Sequence, residues 1–549
     1  MELFKAEKIR FRFPDYRNDT YEKQPYLLED VSFTIEKGDF IILAGATGCG
    51  KSTLLRLLKK ELTPRGERTG KILFYGKELG EYKDGELTSR IGFVMQSPEH
   101  QCVTDKVWHE LAFALENMGL CQQEMRFRCA EMASYFGMDE WLDKEVQTLS
   151  GGQKQLLNLA SVLVMRPEIL ILDEPTSQLD PIAAENFIQT VKKLNEETGI
   201  TILMAEHRLE SVLPLADKVL LMDRGRIVYE DKPEYMTPKM PSFELFKRAL
   251  PCSMRLFFEG KKEENTSVCP LTVAQGRRYL EEYFSKNVLR KQDITDCFPE
   301  SIKNTHRTLC LELKSIWFKY SKKGVDVLKD TNLQLYEGEI MCLLGANGSG
   351  KSTALKCAAG ILKPYAGKVK GKDRNIAYLP QDVETVFVTD LVEDDLKLVG
   401  YDMENNEFPF KLSPLYKKHP YDLSGGEKQI VAIAKVLAKG ADVLLLDEPA
   451  KGLDINAKFQ LLELLQLLKK KGKTILLVTH DVEFAALCSD RCALFYRGEV
   501  VSSQSERSFF SRNAFYTTAA SRISRGFYDN IVTTQELLLV CREMGGGKY

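Results

Sequence analysis

Two segments of this chain carry the pattern G-x-x-x-x-G-K-[ST]: GATGCGKST at 45–53 and GANGSGKST at 345–353, 300 residues apart. Glycines at this spacing let backbone N–H groups curl around a polyphosphate, and a following helix N-terminus adds partial positive charge. Lys51 and Lys351 can neutralise phosphate oxygens, and the hydroxyls of Ser52 and Ser352 can ligate Mg²⁺. The nucleotide-holding set is then Gly45, Gly48, Gly50, Lys51, Ser52 and Thr53 in one copy, and Gly345, Asn347, Gly348, Gly350, Lys351, Ser352 and Thr353 in the other. Each loop follows an apolar run (FIILA, IMCLL) and precedes a helix-like pattern, the context a phosphate loop requires. A chance glycine-rich turn explains one such match but not two in register.

LILDEP at 170–175 and LLLDEP at 444–449 add paired carboxylates at the end of a buried strand. Adjacent side chains of a strand point to opposite sides, so the two acids need different tasks. Asp173 and Asp447 face the metal through its water shell, while Glu174 and Glu448 polarise the attacking water. Two solvated acids are the plain alternative, but a phosphate loop lies upstream of each pair. His207 and His480 end the runs TILMAEH and TILLVTH; the chain has six histidines, and two share one repeat position. They are expected to sense the γ-phosphate and orient the water. Gln96 and Gln381 end GFVMQ and AYLPQ and are expected to ligate Mg²⁺ or water. LSGGQ at 149–153 and LSGGE at 423–427 precede helical patterns. Ser150, Gly151 and Gly152, like Ser424, Gly425 and Gly426, thus offer a helix N-terminus and a hydroxyl, a γ-phosphate clamp.

The motifs recur in one order, at offsets of 300, 285, 274 and 273 residues, so one α/β domain is duplicated. The copies are expected at 1–231 and 308–505, with a helical appendage and connector at 232–307 and a helical tail at 506–549. A helical pattern in the connector runs from Leu271 to Tyr283. Copy two has 15 fewer residues between lysine and glutamine and 11 fewer between glutamine and serine. Its segment 388–422, rich in charge and proline, predicts a reduced helical subdomain.

Composition sets the outer bounds. Of 549 residues, 28% are charged and 44% apolar, and the formal net charge is −2, which argues against nucleic acid as a partner. No apolar run approaches the ~18 residues of a membrane span, and MELFKAEKIRFRF is no signal peptide. Thirteen cysteines without C-x-x-C pairs fit reduced thiols in a cytosol, rather than a disulfide framework or a zinc site. Cys49 lies inside the first phosphate loop at a helix N-terminus, where a thiol pKa can fall. A small residue tolerated there is the simpler reading.

This motif set, in this order, resembles the ATP-binding cassette (ABC) ATPases. The resemblance implies two ABC-type P-loop NTPase cassettes, each α/β with a helical subdomain, joined by a small helical appendage. It implies that the cassettes form an intramolecular head-to-tail dimer, with Lys51 paired to Ser424 and Lys351 to Ser150 around two ATP molecules with Mg²⁺. SQLD (177–180) and KGLD (451–454) match the loop that crosses such an interface, and Phe13 and Tyr320 match the aromatic that stacks on adenine, with Tyr16 and Tyr21 close to the former. Both sites keep lysine, Asp-Glu and histidine, so neither is degenerate by sequence.

SPEHQ after Gln96, ELAFALENMGL (110–120), AEHRLESVLPLADKVLLMDRGRIV (205–228) and THDVEFAALCSDR (479–491) look like the ATPases of energy-coupling-factor (ECF) transporters, importers of vitamins and transition-metal ions. PLTVAQGRRYL (270–280) and FFSRNAFYTTAASRISR (509–525) resemble fused, two-cassette members. The partners so implied are a transmembrane coupling protein and a separate membrane substrate-binding subunit, with this chain peripheral on the cytoplasmic face of the membrane. The alternatives are the ATPase of an ordinary ABC importer and a soluble tandem ABC protein acting on ribosomes or nucleic acid.

Overall fold

The computed structural model describes residues 1–14, 25–238, 246–260, 268–286, 308–371, 373–403, 408–528 and 530–544. The chain divides into two compact units, Met1–Phe258 with Glu264–Thr272, and Glu259–Glu263 with Val273–Tyr549. Each is built on a six-stranded sheet.

In the first unit the spatial order is Arg226–Asp231, Lys218–Asp223, Phe40–Gly45, Thr201–Ala205, Ile169–Asp173 and Ile91–Val94. Only the first of these pairings is antiparallel. The second unit repeats the order with Glu499–Ser505, Arg491–Tyr496, Ile340–Leu344, Thr474–Val478, Val443–Asp447 and Ile376–Leu379. The central strands are buried along their length, as expected of a parallel sheet covered on both faces. An antiparallel sheet accompanies each: Leu28–Glu36, Glu2–Arg12, Glu67–Phe74 and Lys77–Glu78 in the first unit, and Leu328–Tyr336, Leu309–Phe318 and Ala366–Lys370 in the second. The expected fold class, two α/β cassettes in one chain, is what the structure has.

The helical subdomains differ as the shortened spacing implies. In the first unit, helices Val107–Asn117 and Gln122–Tyr135 precede helix Gly151–Leu163, around a core that includes Leu111, Trp141 and Leu157. In the second, the seven-residue helix Val392–Leu398 is the α-helix described ahead of Gly425–Ala438.

The stretch 232–307 is divided between the units. Helix Cys252–Gly260 falls mostly in the first, whereas Val273–Lys286, which takes in all but the first two residues of the predicted 271–283 pattern, belongs to the second and packs on Ala519–Ser524 of the tail. Positions 239–245, 261–267 and 287–307 of that stretch, with Tyr16 and Tyr21, lie outside the described residues.

One buried ion pair holds the reduced subdomain. Lys435 Nζ lies 2.6 Å from Asp395 Oδ1, their side chains being 7% and 0% exposed, and it also donates to the Val386 carbonyl at 2.6 Å. Replacing Asp395→Ala strands a buried ammonium group and is expected to cost about 3–5 kcal/mol, read as a fall in the unfolding midpoint. Asp395→Leu combined with Lys435→Met, which removes both charges, is expected to cost far less in the same measurement.

Candidate functional site

The order of strands, not the order of motifs in the sequence, assembles the site. The strands ending at Gly45, Ala205, Asp173 and Val94 are consecutive neighbours, and all four run parallel. Their carboxyl ends therefore bring the phosphate loop, His207, Asp173–Glu174 and Gln96 to one edge, where open α/β sheets bind ligands. The second unit aligns the phosphate loop, His480, Asp447–Glu448 and Gln381 in the same way.

Each phosphate loop leaves its strand through a glycine that nothing larger can replace. A Cβ on Gly45 would stand 2.5 Å from the Met222 carbonyl oxygen, and one on Gly345, at φ 152°, 2.2 Å from that of Phe495. The loops then enter helices Lys51–Leu57 and Lys351–Ala358. Lys51 Nζ donates to the carbonyls of Gly45 and Ala46 at 2.9 and 3.1 Å. Lys351 donates to those of Gly345 and Ala346 at 2.8 and 2.9 Å. Both lysines thus lie across their own loops, aimed where a phosphate would be held.

In the first unit the expected residues touch. Glu174 lies 2.6 Å from His207 Nε2 and 3.7 Å from Lys51 Nζ, and accepts from Gln96 Nε2 at 3.0 Å. Ser52 Oγ donates to Asp173 Oδ1 at 2.9 Å. The two carboxylates are pushed apart electrostatically. Burial, reinforced by Glu174, raises Asp173 to about 6. Burial also pushes Glu174 upward, but His207 and Lys51 outweigh it and hold this carboxyl below the ordinary value. One acid is kept ionised, as a group that polarises water must be, while on its neighbour burial outweighs the Ser52 hydrogen bond.

The second unit keeps the plan with different contacts. His480 brings Nδ1, not Nε2, within 2.8 Å of Glu448, a close approach without hydrogen-bond alignment. Gln381 makes no bond to Glu448 among the described residues, whereas the buried Gln429 donates to the Glu448 carbonyl at 3.4 Å. Burial raises Asp447 too. Its Oδ1 is buried without a hydrogen-bond partner among the described residues. Hydroxyl, carboxylate and amide oxygens suit a hard cation such as Mg²⁺, which takes most of its remaining ligands from phosphate and water. A buried carboxylate oxygen without a partner fits such an ion, and no larger metal-binding cluster is present among the described residues.

LSGGQ and LSGGE form helix N-termini. Ser150 Oγ accepts from Gln153 N, and Ser424 Oγ from Glu427 N, each at 3.3 Å, and the third residue's side chain reciprocates on the serine N–H. These capping boxes use the serine oxygen as acceptor, leaving its proton free to donate. Glu427 adds a negative charge to the second clamp, with Lys418 3.2 Å away. Asp180 and Asp454 cap the helices after SQLD and KGLD. Tyr320 is 63% exposed, its hydroxyl 3.0 Å from Thr353 Oγ1, while Phe13 packs edge-on against Phe11 and is half-buried. Cys49 is buried and burial pushes its thiol pKa up, which agrees with a small residue tolerated in the loop and not with a thiol activated by the helix N-terminus.

Sequence reasoning passes over Glu206, the buried carboxylate beside His207. The available signal is a lone acid in the otherwise apolar end of TILMAEH, where the second copy has threonine.

With the geometry established, comparisons place the chain. The sequence profile of the ABC transporter family matches residues 28–177 and 328–451. A Bacillus thuringiensis protein provisionally named an ABC transporter ATP-binding protein is 40% identical over 541 residues, covering 95% of this chain and 96% of that protein. A Bacillus subtilis protein provisionally named an HMP/thiamine import ATP-binding protein is 29% identical over 538 residues, 93% of each chain. Among solved structures, the archaeal ribosome recycling factor aABCE1, seen with the ribosomal stalk protein aP1, is 24% identical, covers 88% of this chain and 89% of that one, and aligns with a TM-score of 0.57. That likeness shows a shared tandem fold. The chain belongs to the ABC transporter ATP-binding proteins, and it is a tandem ATP-binding ATPase.

Asp173 gives a pH test. Its folded pKa of about 6 exceeds the ordinary 3.8, so the native state binds the extra proton. Its contribution to stability is complete below pH ~4 and is lost as pH rises through ~6. In the absence of nucleotide, Asp173→Asn is expected to be more stable than the parent at pH 7 by on the order of 2–3 kcal/mol, and equal to it near pH 4. Denaturant titrations at the two pH values check this.

Proposed function

We propose that this tandem ABC ATPase energises an ECF-type membrane importer of a vitamin or metal ion, working peripherally on the cytoplasmic face of the membrane. Its partners are a transmembrane coupling protein and a separate membrane substrate-binding subunit, and nucleic acid is not among its ligands. The observation that carries the reading is the set of large apolar side chains left exposed on the helical subdomains. In the first these include Trp108, Phe113 and Phe127, at 42%, 43% and 58% exposure, and in the second Val388, Leu391 and Leu398, at 74%, 39% and 65%. Exposed apolar groups of this size suit a partner helix seated against them. The two sets differ, so the partner helices they receive differ as well. The B. subtilis relative, named for HMP/thiamine import and similar along almost the whole chain, supports the vitamin direction. No described helix is long and apolar enough to cross a membrane, and in this reading the pathway belongs to the partner chains.

In this reading the two cassettes close head to tail around two ATP molecules, Lys51 facing Ser424 across one site and Lys351 facing Ser150 across the other. Backbone N–H groups of both phosphate loops, with Thr53, Asn347 and Thr353, hold the phosphates, and Phe13 and Tyr320 stack on the adenines. Ser52, Asp173 and Gln96, and Ser352, Asp447 and Gln381, are the residues that would hold Mg²⁺, which neutralises charge on the phosphates when bound. Glu174 and Glu448 polarise the attacking water, and His207 and Glu448's neighbour His480 keep the water and the γ-phosphate in register. Closure drives transport only because ATP binds the closed arrangement more tightly than the open one.

Two experiments test this. Mild-detergent purification of the tagged chain from its host, followed by mass spectrometry, is expected to recover a polytopic membrane protein and a small membrane protein. Ribosomal proteins in their place would remove the transport claim and leave the ATPase standing. Glu174→Gln and Glu448→Gln are each expected to trap ATP at one site, and the double variant to lose turnover by at least ~10³-fold, the scale of losing a well-placed catalytic group. Wild-type hydrolysis by the double variant in the assembled complex would show the glutamates to be misassigned.

A further inference from the structure

Glu206 is 3% exposed, a buried carboxylate next to His207 in the chain. Its Oε1 accepts from the backbone N–H of Thr176 at 3.1 Å and from the Thr176 hydroxyl. Its Oε2 accepts from the His207 N–H at 3.0 Å. Thr176 stands two residues beyond Glu174 and is fully buried. One carboxylate therefore ties the loop that carries Glu174 to the backbone that carries His207. Its own N–H donates to Leu43, in the strand that runs into the phosphate loop, at 3.3 Å.

The second copy is an internal control. There Thr479 occupies the place of Glu206 and Ala450 that of Thr176. The backbone bonds are unchanged: Thr479 N donates to Leu343 at 3.3 Å, and Glu448 N donates to Val478 at 2.9 Å, as Glu174 N donates to Ala205 at 3.0 Å. The threonine hydroxyl instead accepts from Asp481 N at 3.1 Å. The fold thus forms without a carboxylate at this point. The side-chain brace exists in one copy only, and the two histidines present different ring nitrogens to their glutamates.

We infer that Glu206 is a positioning residue for hydrolysis at the first cassette, bracing the Glu174 loop against His207, and that the second cassette works without such a brace. This rests on the roles proposed above for Glu174 and His207. Binding of ATP depends on the phosphate loop, which Glu206 does not touch by its side chain. Removing the carboxylate must then slow hydrolysis at the first cassette while leaving nucleotide binding intact.

The test uses the full chain in membranes of cells that express it, labelled with 8-azido-ATP and digested so that label on each phosphate-loop peptide is read separately. Orthovanadate traps nucleotide only at a site that reaches the hydrolytic transition state, and labelling in the cold without it reports binding alone. Glu206→Thr, the residue of the second copy, is expected to lower vanadate trapping on the first cassette about tenfold, the factor that ~1.4 kcal/mol produces. Cold labelling of that cassette and trapping on the second are expected to stay within about twofold. Retained cold labelling also shows that the variant has folded. Trapping unchanged by Glu206→Thr would overturn the brace, as would equal loss of cold labelling and trapping. Glu174→Gln, run alongside, separates this from the parent reading: if it leaves first-cassette trapping intact, the role of Glu174 has failed and the brace falls with it.

Discussion

The structure depends on strands that are closed to water on both faces. Every residue of Ile169–Asp173 and of Val443–Asp447 is buried, and a polar side chain inside such a strand would lack partners at a cost of several kcal/mol. Chemistry is thereby confined to strand ends. Because the inner strands run parallel, these ends collect at one edge, and four neighbouring strands deliver loop, histidine, paired acids and glutamine side by side. The backbone bends where the apolar run stops. Glu174 and Glu448 sit at φ 47° and 55°, in the left-handed region that side chains seldom adopt. Such a conformation costs about 1–3 kcal/mol, and it recurs at matched positions of the two copies here as it does at Asp30 and Asp330 and at Arg224 and Arg497. The bend, fixed by the bonds to Ala205 and Val478, turns each glutamate out of strand register toward its histidine.

Two adjacent carboxylates become two different chemical groups because their surroundings differ. Glu174 has a lysine, a histidine and an amide around it, and its charge is welcome. Asp173 has burial, the neighbouring negative charge and one serine, and burial resists its charge. Environments that drive two titratable groups in opposite directions are how acid–base roles are divided on one scaffold. The phosphate loop takes part in this division, since Lys51 is held across the loop by two carbonyls within reach of Glu174.

The fold class, the duplication, the loops and the acids are legible in the sequence because each rests on local residue types at fixed spacing, and two copies in register remove the ambiguity of one. What was not legible depends on three-dimensional partners. Whether Cys49 is activated turns on its burial against Gly45 and the sheet, which overrides its place at a helix N-terminus. Gln96 and Gln381 look equivalent along the chain, yet only the former bonds the glutamate among the described residues. The connector reads as one helical appendage, but helix Val273–Lys286 is part of the second unit, because its partners come from the tail more than two hundred residues later. Glu206 escapes notice because its importance lies in contacts with Thr176 and the backbone of His207, which no spacing rule encodes.

Fusing the copies in one chain lets them differ while every molecule still carries one of each. In a pair of identical chains, any residue at one nucleotide site would be repeated at the other, so each change would have to suit both. A tandem chain always supplies one of each copy, and a change can be fixed in one place only. The differences found here have that character. The first copy has Gln153 in its clamp, a carboxylate brace at Glu206 and a full helical subdomain. The second has Glu427 offset by Lys418, a threonine at 479 and a short subdomain held by one buried ion pair. The lysine, the serine after it, the Asp–Glu pair, the histidine and the glutamine of the candidate site recur in both. The two copies thus differ in the residues around these groups and in their helical subdomains more than in the groups themselves.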